Sequence, residues 1–423
     1  MATETPYEGD IRERRKQAVV DKLLLRDLAL RQKVGILGIV GLGLLPTILR
    51  PEELGEFSPV LYVMMFAVSW DVVSGYTGQL SFGHAFFFAL GGYGTVVITN
   101  QHLFDLFGQR ATALGAGSVL AVILIGILGG TLLAAIGGVL IGVPALRLQG
   151  PYLSLVTLIA PLLLYQVFQI FSDGMPYLAP EELGVSAFSN RPALFVSTGT
   201  KNVIEAGARW EQLLASYYLS FLALLIVLGV CYGVTRSSAG SVLTGLREDE
   251  DAVQSVGLNP AKFKIFAFIL SATVGGFAAA MWMHTGVGYP DGSSVFGPGR
   301  IDKSIEVIIV AILGGMGTIV GALVGALLLG ITEVVVGSLD WLGIPGTDLT
   351  VADTSPLPTF GLGILVLVFM PEGVVPRATT ASRRFLARRR GEEPPDTGGD
   401  SAATSVISNY REEIEEILGR DTE

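Results

Sequence analysis

Two short stretches hold most of the polar chemistry of this chain. The first, SGYTGQLSFGH at residues 74–84, sets Gly75, Gly78 and Gly83 among Gln79, Ser81 and His84, where one apolar run gives way to the next. Glycines at that spacing break a helix, and a broken helix presents backbone N–H and C=O groups beside the side-chain amide, hydroxyl and imidazole. Such groups suit reversible binding of a small solute, such as the carboxylate and ammonium of a zwitterion. The same residues also fit a plain glycine-rich turn whose polar side chains satisfy its own backbone, with His84 as a hydrogen-bonded packing residue. Both readings are open.

The second stretch, GLREDEDAVQSVGLNP at residues 245–260, places charges at Arg247, Glu248, Asp249, Glu250 and Asp251 without interruption. A charge run is commonly a solvated face. Here the order says more. Four acids in the first turns of a short helix complement its dipole, Leu246, Val253 and Val256 form a partial apolar stripe, and Gly257 can close the helix in a left-handed conformation. Asn259 then caps, and Pro260 opens, the next helix. The expected object is an ordered knob fixed to a longer helix.

Catalytic and cofactor chemistry has little to stand on. There is no H-E-x-x-H, no G-x-S-x-G and no Gly-Lys dipeptide, so the G-x-x-x-x-G-K-[ST] phosphate loop is missing. Cys231 is the single cysteine, which excludes an intrachain disulfide and a cysteine-rich metal centre. The reading is of a chain that is no enzyme and holds no cofactor or metal of its own.

The elements that must position these stretches are membrane helices. Half of the 423 residues are hydrophobic and 16% are charged, and apolar runs of the roughly 20 residues needed to cross a bilayer recur along most of the chain. Hydropathy gives an all-α polytopic protein of about ten spans, near 33–49, 58–75, 81–99, 116–142, 151–171, 214–234, 262–284, 303–315, 318–338 and 358–370. Basic flanks at Arg12 to Lys16, Arg147, Arg236, Arg247 and Arg383 to Arg390 put both termini and the segment 235–261 on the cytoplasmic side. Residues 50–59, 100–115 and 172–212 and the loops near Asp291 and Asp340 then face outward. The domain plan is a basic amphipathic segment over 1–32, a transmembrane domain over 33–375, and a basic then acidic, largely disordered tail over 376–423. Small residues recur every four positions at Gly126, Gly130, Ala134, Gly138 and Gly142, and at Gly317, Gly321 and Gly325 on the ninth span, which is the pattern of close helix packing. Asp71, Glu306 and Glu333 lie near span boundaries and read as structural or interfacial charges. The net charge of −10 sits in tails and loops and argues against nucleic acid as a partner, while the scarcity of Lys beside Arg suits a saline cytoplasm.

Four stretches carry a family resemblance. GYTGQLSFGHAFFFALGGY (75–93), GVPALRLQGPYLSLVTL (142–158), LREDEDAVQSVGLNPAKFKIFAFILSA (246–272) and AILGGMGTIVGALVGALLLG (311–330), followed by MPEGV (370–374), resemble in that order the branched-chain amino acid permeases of ABC importers, LivM type. DAVQSVG at residues 251–257 is similar to the signature by which such permeases meet their ATPase, with Asp251, Ala252 and Gly257 as its matched positions. The resemblance implies Arg247, Glu248, Asp251, Ala252 and Gly257 as the ATPase-coupling loop. It also implies a plasma-membrane complex: a companion permease of LivH type, two ABC ATPase subunits binding ATP and magnesium, an external substrate-binding protein, and lipid around them. Residues 172–185, SDGMPYLAPEELGV, depart from the family pattern, as does Asp71, where many members resemble Asn. A urea or short-amide permease of the same family is the alternative cargo reading, and an ion-coupled secondary transporter is the alternative of another class.

Overall fold

The computed structural model describes residues 30–99, 116–145, 152–172, 209–285, 302–337 and 356–390, with a few positions between 339 and 351. The amphipathic segment expected over the first residues, Arg147, most of the outer segment 172–212, the loop near Asp291, Asp340 itself and the acidic tail lie outside the described residues. Among the described residues all regular structure is helical, apart from one isolated bridge between Gly343 and Thr350.

Residues 1–50 form a unit of their own, in which α1 (Leu30–Leu44) runs into a single 3-10 turn, Leu45–Thr47. Leu37, Val40, Leu44 and Ile48 are all exposed on it, the mark of a helix whose faces meet lipid rather than water.

The second unit begins at Pro51. There α2 (Pro51–Trp70) starts inside the segment expected as an outer connection, because Pro51 occupies the first helical position and Glu53 complements the start of the dipole. After it come α3 (His84–Thr99), α4 (Ala116–Ala145), α5 (Tyr152–Ser172), α6 (Arg209–Arg236), α7 (Ser238–Glu248), α8 (Glu250–Ser255), α9 (Pro260–Thr285), α10 (Asp302–Gly314), α11 (Ile319–Gly337), α12 (Pro356–Phe369) and α13 (Val374–Arg390). Among the described residues five helices are long and apolar enough to span: Glu53–Gly75, Leu120–Ala145, Leu213–Arg236, Pro260–His284 and Ile319–Gly337. Three shorter apolar helices, Gly35–Thr47, His84–Thr99 and Tyr152–Val167, join them. The helices make an all-α membrane protein, and α10 and α12 fall almost on the short runs 303–315 and 358–370 read from hydropathy. With 13 and 14 residues, α10 and α12 fall short of the roughly 20 that cross a bilayer, because glycines and prolines cut these apolar runs into pieces.

The centre is a three-helix block of α3, α4 and α9, packed pairwise against one another. Its seam is the small-residue stripe of α4. A Cβ at Gly126 would press on Thr95 and Thr99 of α3, and one at Gly130 on the Gly91 carbonyl. Gly138 and Gly142 meet Ala272 and Phe268 of α9 in the same way, and Ala134 seats against Gly276. On the far side of α4, Leu124, Ile125, Leu128, Leu132 and Leu140 are exposed, a lipid-facing surface. Around this block α2 packs on α6, α9 and α11, and α10 with α11 forms a hairpin. Gly321 and Gly325 let the hairpin close, lying against the Gly315 and Val310 carbonyls.

Candidate functional site

At its end α2 loosens into a π-turn, Asp71–Gly75, whose five residues are all buried. Gly78 turns the chain with φ 73°, and an irregular run with a bend at Phe82 then leads to His84, where α3 begins. Side chains satisfy much of the backbone of this break. Trp70 Nε1 donates to the Ser81 carbonyl at 2.7 Å, the Ser81 N–H to Ser74 Oγ at 3.2 Å, the Phe82 N–H to Thr157 Oγ1 at 3.1 Å, and Ser154 Oγ to the Leu80 carbonyl at 2.9 Å. His84 Nε2 pairs with Ser69 Oγ at 2.7 Å, and its ring packs against Phe66 and Phe87. Gly83 serves contact rather than conformation, since a Cβ there would strike the Thr157 carbonyl of α5.

The structural turn expected from sequence is thus well made, but not to completion. Gln79 Oε1, Ser81 Oγ and His84 Nδ1 are buried without a hydrogen-bond partner among the described residues. Leaving such an atom dry costs about 1–3 kcal/mol. Gly75, Gly78, Gln79, Ser81, Gly83 and His84 are brought together, and three of the six keep buried polar atoms without a partner.

The charged stretch is two helices, not one. Glu248 is the last residue of α7, Asp249 is extended (φ −158°), and only Glu250 and Asp251 stand in the first turn of α8. The expected run of four acids at one helix start is corrected for a simple reason: an Asp that can cap interrupts a helix. Asp249 Oδ1 accepts the Ala252 N–H at 3.0 Å. Leu246 and Val253 are buried with Leu243 and Ala267, against Tyr76 and Phe263. Val256, expected in the same stripe, is 72% exposed, because it lies past the last helical residue and has left the register. Gly257 has φ 84° with open space around its Cα, and its N–H reaches the Gln254 carbonyl at 2.9 Å. Asn259 Oδ1 accepts the Lys262 N–H at 3.4 Å, and Glu250 pairs with Lys264 at 2.5 Å, fastening α8 to the base of α9. Glu248, Asp251, Ala252 and Gly257 form an exposed face.

Arg247 does something the sequence does not announce. Its Nη1 donates to the Gly75 carbonyl at 2.7 Å, so the charged pair of helices is bonded directly to the break at the end of α2. Gly78 lies alongside, 3.4 Å from Arg247 Cγ measured from an added Cβ. The third member is Gly317, whose N–H donates to Asp71 Oδ1 at 2.6 Å. Sequence periodicity puts Gly317 on the ninth span with Gly321 and Gly325; in the structure it precedes the helix, in a turn with φ 80°. Thr318 supplies the reason. Its Oγ1 accepts the Gly321 N–H at 3.1 Å and caps α11, leaving Gly317 outside. The signal was a Thr behind a Gly-Gly-Met-Gly run, which marks a start rather than the interior of a helix. Asp71, read as a boundary charge, is in fact 1% exposed.

Elsewhere, Lys303 pairs with Glu306 at 2.7 Å and sits 5.6 Å over the Trp282 ring, and the charges of both act on Glu333. Among the described residues no group of three His, Cys, Asp or Glu could hold a metal ion.

Residues 58–368 match the family described as "Branched-chain amino acid transport system / permease component". Over 353 residues, 79% of this chain and 72% of the relative, it is 27% identical to the high-affinity branched-chain amino acid transport system permease protein LivM of Escherichia coli (strain K12). The like-named BraD of Pseudomonas aeruginosa is 30% identical over 165 residues, 38% of this chain and 48% of its own. The ribose import permease protein RbsC of Haemophilus influenzae is 25% identical over 223 residues, 50% of this chain and 58% of its own. No solved structure matches. Nothing in these relatives supports the saline cytoplasm expected from the Arg and Lys usage.

Proposed function

The chain belongs to the branched-chain amino acid transport permease family, and from that premise we propose that it is the membrane-spanning permease subunit of an ABC importer for branched-chain or other apolar amino acids. The family match across residues 58–368 is the observation that carries this reading. It is a multi-pass membrane transporter rather than an enzyme. Because the chain lacks a phosphate loop, ATP and magnesium are bound by two separate ATPase subunits. A companion permease of LivH type completes the pathway, and an external binding protein delivers the solute. In the plasma membrane, both termini and the α7–α8 pair face the cytoplasm, and the segment near 172–212 faces out.

The mechanism follows from how the elements are tied. The exposed face of α8, with Asp251, Ala252 and Gly257, meets the ATPase, while Leu246 and Val253 hold it to the bundle. A displacement at that face reaches the break at 75–84 through one covalent turn and one hydrogen bond, Arg247 to Gly75. Gln79, Ser81 and His84 lie where a passing solute's charged head would find unpaired polar atoms. Outward and inward access then alternate as the block of α3, α4 and α9 moves relative to the rest.

The test is uptake of labelled leucine into liposomes holding the assembled complex, with ATP inside and the binding protein outside. ATP-dependent leucine uptake is expected, with neither ATPase activity nor uptake from the permease chain alone. Uptake driven by a proton or sodium gradient into liposomes with only this chain would overturn the reading in favour of a secondary transporter. Preference for urea would move the cargo assignment alone.

A further inference from the structure

At the junction of the π-turn, the α10–α11 turn and α7, one buried carboxylate is only half used. Asp71 Oδ1 takes the Gly317 N–H at 2.6 Å and the Thr318 N–H also acts on the carboxylate, whereas Oδ2 is buried with no hydrogen-bond partner of good geometry among the described residues. The Arg247 guanidinium is close enough for its charge to act on this carboxylate, yet it donates to a neutral acceptor, the Gly75 carbonyl, at 2.7 Å. A guanidinium offered both would bond the carboxylate more strongly, since charge-assisted bonds are about twice as strong as neutral ones. A half-paired carboxylate away from water is costly unless another arrangement completes it.

We propose that Arg247 has two seats, the Gly75 carbonyl and Asp71 Oδ2, and that moving between them is the latch joining the charged helices α7 and α8 to the break at the end of α2. The proposal rests on the ATPase-docking reading of α8 given above. Three features of the junction support it. Gly317, at φ 80°, keeps the space of the guanidinium clear, because a Cβ there would fall on Arg247 Nη1. Gly75 does the same for the acid, because its Cβ would fall on Asp71 Oδ1. Arg247 moves as one body with α8: the Asp249 N–H bonds the Gly245 carbonyl at 2.9 Å, and Asp249 itself caps α8 two residues after Arg247.

The consequence is a switch with two defined positions. With Arg247 on Gly75, the last carbonyl of the π-turn is pinned and the break is held as observed. When α8 is displaced and the guanidinium passes to Asp71, that carbonyl is released, the end of the π-turn loses its tie to α7, and Asp71 Oδ2 gains a partner. Each position satisfies one acceptor at the expense of the other, so a displacement of α8 can decide between them.

The complex reconstituted in liposomes tests this with Asp71→Asn, Arg247→Gln and the double variant, read as ATP hydrolysed per leucine carried. Asp71→Asn keeps an Oδ1 for Gly317 and removes only the charged seat. Complexes of normal abundance and ATPase content are expected. Each single variant should raise ATP spent per leucine about tenfold, as loss of one charge-assisted bond would give. The double should be no worse than either single, because both remove the same exchange. Wild-type coupling in Asp71→Asn, or single effects that multiply in the double, would overturn the latch. Should Asp71→Asn fail to accumulate, Arg247→Gln decides alone, and tight coupling there overturns the proposal. A wild-type complex that carries no leucine would instead count against the transport reading.

Discussion

Glycine does opposite work in two regions of this molecule. Along α4, Gly126, Gly130, Gly138 and Gly142 bring the helix backbone against a neighbouring backbone, a methyl group or the Phe268 ring. At the junction, Gly75 and Gly317 clear room for a carboxylate and a guanidinium whose pairing is incomplete. The first arrangement has one close-packed solution and behaves as a block. The second has polar groups with more than one partner within reach and behaves as a joint. A membrane transporter needs both, one to keep its shape and one to change it.

Substitutions can break the contrast, and the largest effect belongs to the block. Gly130→Val would drive a branched side chain into the Gly91 carbonyl and Thr95. Overpacking of this kind costs about 3 kcal/mol or more where backbone is the obstacle. Membrane abundance and thermal unfolding of the purified chain should both collapse; near-normal stability would show that the seam is loose.

Next comes Gly317→Ala, which should leave a folded, assembled protein that couples poorly. The left-handed φ of 80° costs an alanine about 1–2 kcal/mol, and its methyl falls on the guanidinium. Transport per ATP should fall further than abundance does. Equal loss of both would make the junction one more packing contact.

Smaller again is Gly257→Val, at φ 84° with nothing within 4 Å, so only backbone conformation is charged, at about 1–2 kcal/mol. The chain should accumulate, but α8 should be misaimed and ATPase recovery in pull-down should drop. Asp251→Lys, the wrong sign in the first turn of α8, should weaken the same recovery by about 1 kcal/mol. At the bottom of the scale stands Gly229→Ala on α6, with open space around it; it should be silent in uptake and slightly stabilising, by up to about 1 kcal/mol.

Much of the block was legible in sequence, because small residues at a four-residue spacing have one common use in a membrane helix. The break at 74–84 was legible for the same local reason, its glycines and polar residues being adjacent. What sequence hid was every relation across distance. Arg247 and Gly75 are 172 residues apart, and Asp71 and Gly317 are 246 apart, so no spacing rule could join them. Local reading also erred where a cap competed with a period. Asp249 split the acidic run, Thr318 cut Gly317 from its helix, and Val256 fell past the end of α8. Hydropathy did place the short runs well: α10 and α12 fall almost on the eighth and tenth runs read from sequence.

The most direct measurement of the account places a photo-crosslinking residue at Gln254, on the exposed face of α8, in the assembled complex, with a second at Trp341, 74% exposed just beyond α11, as the control. The account predicts that Gln254 captures the ATPase subunit, that the yield changes when ATP is added, and that Trp341 captures no ATPase. Capture of the ATPase from Trp341, or none from Gln254 in a complex that transports, would contradict the claim that the charged helices are where ATP hydrolysis moves the bundle.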